Sequence, residues 1–420
     1  MRRLPVPRPN ARFGALMGSL LVLALAVAGG LAGRDRGGAR PLPPGGSQFG
    51  TIPPEQRPHE TLLDALAPLL APQSAGAGAT GANGHHAPAG PRLPLPLGRA
   101  VAQLFVVGFP GRDVTAPILK RLHGRDWGGV LLQRTNFVDP VQLTTLTTAI
   151  AQAAHDAHHV APIVALAQVG GTASELPTLP PAPEPAVGAT RSPRQAAQQA
   201  AAAAAALKPL GVSMTLAPDA DLSVAAGPAQ ERSFSDDPAV ATRMTAAAVR
   251  AYRDAKMISA VGRFPGEGAA SQDPEQGAAT VGLSLAQLRA ADLRPFVAIA
   301  KAAPAIAMSD AVYAAWDGVT PATLLPDAVR LLRGLGFRGV IVSGDLTAAT
   351  AVTGGTVAQA AVDALRAGVD LLVVPGDATD QESAYRAVLD AVRRGILKRS
   401  RIVDAVKRVL ALKRAYRVGG

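Results

Sequence analysis

From about residue 98 onward the chain repeats one unit, a short and largely apolar run followed by a longer stretch of helical character. The runs stand at 104–109 (LFVVGF), 129–132 (GVLL), 162–167 (PIVALA), 213–217 (SMTLA), 258–264 (ISAVGRF), 305–308 (AIAM), 340–342 (VIV) and 370–374 (DLLVV). Strands this apolar are covered on both faces, and parallel neighbours need a crossover that is usually a helix. Eight such units predict an α/β fold, a closed (β/α)8 TIM-like barrel over 98–420, with an open doubly wound sheet as the alternative. The intervening stretches carry start signals for helices: Ser192-Pro193, Asp237-Pro238, and Ser284 with Gln287 as a capping box. The alanine run 200–206 predicts a helix packed closely against the barrel, since alanine favours helix and adds little bulk.

In such a barrel chemistry collects where the strands end, at the C-terminal face. Read in order, those ends offer Gln133, Arg134 and Asn136, then Gln168, then Asp219 and Asp221, then Arg263, Glu267, Asp273 and Glu275, then Asp310, and finally Asp345. Carboxylates predominate. All seven histidines precede residue 160, which removes a histidine base or a histidine-rich metal site from the later strands. The chain has no cysteine, so disulfides, thiolate metal sites, a cysteine nucleophile and a lipid-bearing cysteine are excluded. Thr353 to Gly355 lacks the lysine and spacing of a phosphate loop, and no dinucleotide fingerprint or zinc motif is present; no cofactor or metal is expected. Trp127, Trp316 and Tyr313 are candidates for a sugar platform or for ordinary packing.

The formal charge of +11 sits at the ends. Residues 1–40 carry +6 and residues 393–420 carry +9, which leaves the body between them at −4. A mildly acidic body with 4% aromatic residues does not suit a phosphate groove, and no nucleic-acid partner is expected. Four arginines precede an uncharged stretch at 13–33 of bilayer-spanning length, with Ala26-Val27-Ala28 as a cleavage site. Residues 1–33 are expected to be a signal-anchor or signal peptide, with the barrel extracytoplasmic and either tethered to the membrane or secreted. Residues 34–97, rich in Pro, Gly and Ala, predict a disordered linker holding one short amphipathic helix at 61–70. His85-His86 within it has no third ligand. The basic final stretch, 398–417, is expected to be a solvated helix closing the barrel bottom.

The order of segments resembles glycoside hydrolase family 3, in particular its bacterial β-N-acetylglucosaminidase branch, which acts on cell-wall sugars. The resemblance runs from Gly98 to Arg417 through QLFVVGFPG (103–111), GGVLLQRTN (128–136), APDADL (217–222), ERSFSDDP (231–238), FPGEG (264–268), LRPF (293–296), LLRGLGFRGVIVSGDL (331–346), AGVDLLVVP (367–375) and RIVDAVKRVLALK (401–413). It implies the barrel, and cell-wall glycans or amino sugars as ligands.

Position by position, the resemblance also implies losses. An Asp that holds sugar hydroxyls is here Ala167, beside the retained Gln168; an Arg eight residues on is Glu175; a Lys-His pair is Gly262 and Arg263. Arg232 is kept. The Asp that orients an acid/base His is kept as Asp273, but the His position holds Glu275, and the nucleophilic Asp falls on Gly344. Strand alternation should point Asp345 to the other side. The expected substrate contacts are therefore Arg232, Arg263 and Gln168, with Asp310 and Asp345 as possible substitutes for the lost nucleophile. Three functions follow: a barrel without glycosidase chemistry that binds or scaffolds at the cell wall, an O-glycosyl hydrolase using relocated carboxylates, and a protein-interaction domain with a vestigial pocket.

Overall fold

A computed structural model describes residues 92–419. The segment expected at 13–33, most of the linker, the short helix at 61–70 and His85-His86 lie outside the described residues. Among the described residues no helix is long and apolar enough to cross a membrane.

All eight expected strands form. They are β1 (Phe105–Val107), β2 (Gly129–Leu131), β3 (Ile163–Leu166), β4 (Met214–Thr215), β5 (Ile258–Phe264), β6 (Ala305–Met308), β7 (Val340–Asp345) and β8 (Leu371–Val374). Every neighbouring pair is parallel, and β1 meets β8 with Phe105 opposite Leu372 while its other edge meets β2, so the sheet closes. Closure decides for the barrel over the open sheet. Two short strands not foreseen, Thr280–Val281 and Val312–Tyr313, pair outside the barrel and tie the loop after β5 to the loop after β6.

Helix starts follow the sequence signals. Asp237 accepts from the Ala239 amide at 2.8 Å, Ser192 accepts from that of Gln195, and Ser284 and Gln287 form the reciprocal cap. The alanine-rich helix Pro193–Leu207 buries Ala196, Ala200, Ala203, Ala204 and Leu207, a stripe at helical spacing. It packs foremost on the neighbouring helix Pro238–Asp254, where small side chains permit close approach.

The last helix, Arg399–Ala415, is more than a solvated face. Asp370, fully buried before β8, accepts from Arg401 and Arg408 on that helix at 3.0 Å each, and from Arg333 at 2.5 Å. Lys413 is buried too, donating to Gln103 Oε1 at 2.7 Å and to the Ala161 carbonyl at 2.9 Å. Burial pushes its ammonium down to about 7. Part of the basic charge that the sequence suggests is solvated thus fastens the barrel bottom.

Candidate functional site

At the C-terminal ends of the strands lies a pocket of about 190 Å³. Small apolar side chains, Ala167, Ala260 and Ala307, form much of its depth, while Gln133, Glu175, Arg263, Glu267, Glu275, Asp310 and Asp345 bring polar groups to it. Trp127 and Tyr313 do not line it. Trp127 is buried among Phe105 and Tyr385, and the Tyr313 hydroxyl donates to Ser309 while its ring packs on Trp316.

Arg232 organises one wall. It is nearly buried, and it donates to Asp219 (2.8 Å), Asp273 (3.0 Å) and Glu267 (3.1 Å), with Asp221 at 3.8 Å. Arg263 extends the network, bonding Glu267 at 3.2 Å and Glu275 at 3.1 Å. Asp219 and Asp221 also hold backbone: Asp219 accepts from the Asp221 amide and Asp221 from that of Glu267. Burial raises the Asp221 and Glu267 carboxyls, opposed in both by Arg232. Arg232 lines the pocket, but its donors are already engaged with protein carboxylates.

Gln168 does not reach the pocket, contrary to expectation. Its amide donates to the carbonyls of Leu176, Leu179 and Pro180 and accepts from the Leu176 amide, so the side chain is spent on shaping the loop after β3. Asn136 is likewise turned inward, onto the carbonyls of Phe109 and Gly111. Asp345 departs from expectation in the other direction. The chain leaves β7 there, Asp345 caps the helix Leu346–Thr353 through the Thr347 amide at 2.7 Å, and its side chain lines the pocket. A buried carboxylate that the sequence reading missed, Glu184, accepts from the Asp219 amide at 3.2 Å beneath the same wall. Its flanking prolines were the only sequence signal.

Asp310 and Gly344 are in direct contact across β6 and β7. A Cβ built on Gly344 would fall on the Asp310 carboxyl group, closer than atoms approach without bonding. Gly344 therefore has no room for a side chain unless the Asp310 carboxyl turns away. Asp310 is 6% exposed, lines the pocket, and has one buried oxygen, Oδ1, without a hydrogen-bond partner. Burial foremost, then the charges of Glu267 and Asp345, pushes its carboxyl well above the usual range.

Comparison with known proteins places this geometry. Residues 97–412 match the model of the glycosyl hydrolase family 3 N-terminal domain. The chain belongs to glycosyl hydrolase family 3. It is similar to a β-hexosaminidase of Stenotrophomonas maltophilia (strain K279a), 36% identical over 39% of this chain and 50% of that protein, and to one of Xanthomonas oryzae pv. oryzae, 35% identical over the same shares. The matched stretch spans about half the length of these curated relatives. Among solved structures, the family 3 β-N-acetylglucosaminidase of Paenibacillus sp. str. FPU-7 superposes with a TM-score of 0.73 at 30% identity, covering 78% of this chain and 64% of that one. The β-N-acetylhexosaminidase of Beutenbergia cavernae DSM 12333 gives 0.67 at 27% identity, covering 77% and 99%.

Within this family 3 barrel, of the positions where the resemblance implies catalytic groups, Asp273 is kept while 275 and 344 hold other residues. Asp273 accepts from the Glu275 amide at 3.0 Å and from Arg232, so it shapes a turn and holds a guanidinium. Glu275 stands at the solvent edge of the pocket, its side chain 61% exposed and paired with Arg263. Glu175 accepts from the Arg134 amide and lines the mouth; burial raises its carboxyl, with Glu275 adding to the shift. Gly262 differs from Gly344, because a Cβ there would meet nothing closer than Ala307 at 4.0 Å. Space does not explain the missing side chain at 262.

Proposed function

We propose that this family 3 barrel is an amino-sugar-binding protein of the cell envelope that has lost the family's glycosidase chemistry and acts by binding or scaffolding. The contact between Gly344 and Asp310 carries this reading. Retaining hydrolysis needs two carboxyl groups about 5–5.5 Å apart across the glycosidic bond, one of them an ionised nucleophile. Position 344 has no side chain, and the group filling its space is a carboxyl that burial holds toward the protonated form. The Asp310 carboxyl atoms crowd the point where a Cβ at 344 would stand, so that acid fills the space in which a side chain at 344 would begin. The names of the relatives and of the solved neighbours, β-hexosaminidases and β-N-acetylglucosaminidases, support an amino-sugar ligand.

A second reading, hydrolysis by relocated carboxylates, is favoured by Asp310 and Asp345 both lining the pocket. Release of the chromophore from an aryl β-N-acetylglucosaminide by the purified protein separates the two. No release above the buffer control is expected. Release that disappears in Asp310→Asn would establish the second reading and end the first.

We also propose that the barrel stands outside the cytoplasm behind an N-terminal membrane segment, a reading that rests on the arginines before residue 13 and the uncharged stretch 13–33. Protease added to intact cells is expected to release the barrel. Protection until lysis would reverse this topology.

A further inference from the structure

The pocket has a polar mouth and a hydrocarbon floor. Gln133, Glu175, Arg263 and Glu275 stand at the mouth, while the depth is closed by Leu131 from β2, Leu216 just beyond β4, Ala307 from β6 and Val373 from β8. Side chains from alternate strands are how a barrel builds one internal layer, and such a layer is ordinarily packed over by the next. Here it is open. Ala307 lies in a strand paired on both edges, and its neighbours Ala305 and Ile306 are fully buried, but Ala307 and Leu216 stay half-buried because the pocket reaches down to them.

The strands between these four add almost no bulk. They bring Ala167 after β3, Ala260 and Gly262 in β5, and Gly344 in β7, whose space Asp310 takes. A Cβ built on Gly262 would meet nothing nearer than the Ala307 Cβ at 4.0 Å, so the space over Ala307 is free. The polar side chains around this depth are already bonded. Arg232 and Arg263 are engaged by carboxylates, and the Ser343 hydroxyl donates to the Gly344 carbonyl while accepting from the Val373 amide. A sugar ring pressed onto the floor would give up water from its hydroxyls without finding free donors in exchange. A hydrocarbon group gives up none, and it covers apolar surface otherwise open to solvent. The size suits one: a dry cavity of about 150 Å³ holds a benzene ring, and this pocket has about 190 Å³.

We propose that the pocket takes its ligand hydrocarbon end first: an amino sugar bearing an alkyl or aryl substituent, with the substituent on the floor of Leu131, Leu216, Ala307 and Val373 and the sugar among the polar groups of the mouth. The proposal rests on the amino-sugar reading and narrows it to glycosides of an apolar alcohol or phenol.

The test is calorimetric titration of the purified full-length protein with the methyl, butyl and hexyl β-glycosides of N-acetylglucosamine, and with hexyl β-glucoside. Affinity is expected to rise about fourfold for each added methylene until the floor is covered, with a heat-capacity change that grows more negative along the series. Ala307→Leu fills the floor, and Gly262→Val fills the same space from the neighbouring strand; either variant, once thermal unfolding shows it folded, should flatten the series to the level of the methyl glycoside. Two variants on two strands keep the test decisive if one fails to fold. Methyl and hexyl glycosides of equal affinity would overturn the hydrocarbon floor and leave the amino-sugar reading standing, as would a series that rises unchanged in the filled variants. Hexyl β-glucoside binding as tightly as its amino-sugar counterpart would keep the floor and end the amino-sugar reading. Binding of none of the four would bring down both.

Discussion

Gly344→Ala is expected to destabilise the barrel by about 1 kcal/mol, because the Asp310 carboxyl must turn aside for the new methyl group. The backbone at 344 is not the obstacle, since its φ lies outside the left-handed range that excludes side chains. The obstacle is the Asp310 carboxyl, which occupies the space where the new Cβ must go. Asp310 yields by turning its side chain, since its backbone is fixed. It lies at the end of β6, which pairs with β7 through Ala305, Ile306 and Ala307, and Gly344 is itself held by a bond from its amide to the Thr323 hydroxyl at 3.1 Å. The same Gly344→Ala change placed in an Asp310→Ala background should cost little, a coupling of about 1 kcal/mol in a double-mutant cycle followed by denaturant unfolding. Additive effects would show that the two positions do not share the space. Gly344→Asp should be worse than alanine, and increasingly so as pH rises, because two carboxylates in contact cannot both ionise.

Arg232→Met should cost about 3 kcal/mol or more, since it strips the common partner from buried carboxylates and leaves them uncompensated. The pH dependence has a definite sign. Asp221 and Glu267 already titrate higher in the folded protein than in the unfolded chain, so ionising them costs stability as pH rises, and Arg232 reduces that cost. Without it their folded pKa values move further up. The gap between variant and parent should therefore be small at acid pH, where these carboxyls are protonated in both, and widen through neutrality. Thermal unfolding across that range checks it. A gap that stays constant or narrows with rising pH would mean that Arg232 acts by packing its stem, not by its charge.

Much of the barrel was legible because a buried parallel strand has no polar face to hide it: all eight runs became strands, and the caps at Asp237, Ser192 and Ser284 formed as their chemistry requires. The site was legible in composition and less so in direction. Gln168 and Asp345 show why. Both stand at strand ends, but a strand end is where the alternation of faces stops applying, so Gln168 turned into its loop and Asp345 turned toward the pocket. Lateral contacts were harder still. Asp310 and Gly344 were each singled out along the chain, but that one fills the space of the other depends on how far β6 and β7 extend before they leave the sheet. The last helix misled for a related reason: buried Lys413, and Arg401 and Arg408 at Asp370, have the composition of solvated cations, and only their partners reveal otherwise.

The pairing of residues 310 and 344 also bears on how the sequence can change over time. On the proposed loss of hydrolysis, a carboxylate regained at 344 meets the Asp310 carboxyl and a smaller residue at 310 by itself supplies no nucleophile, so both positions would have to change together. A coupled pair of this kind drifts back more slowly than a single site under selection for folding alone.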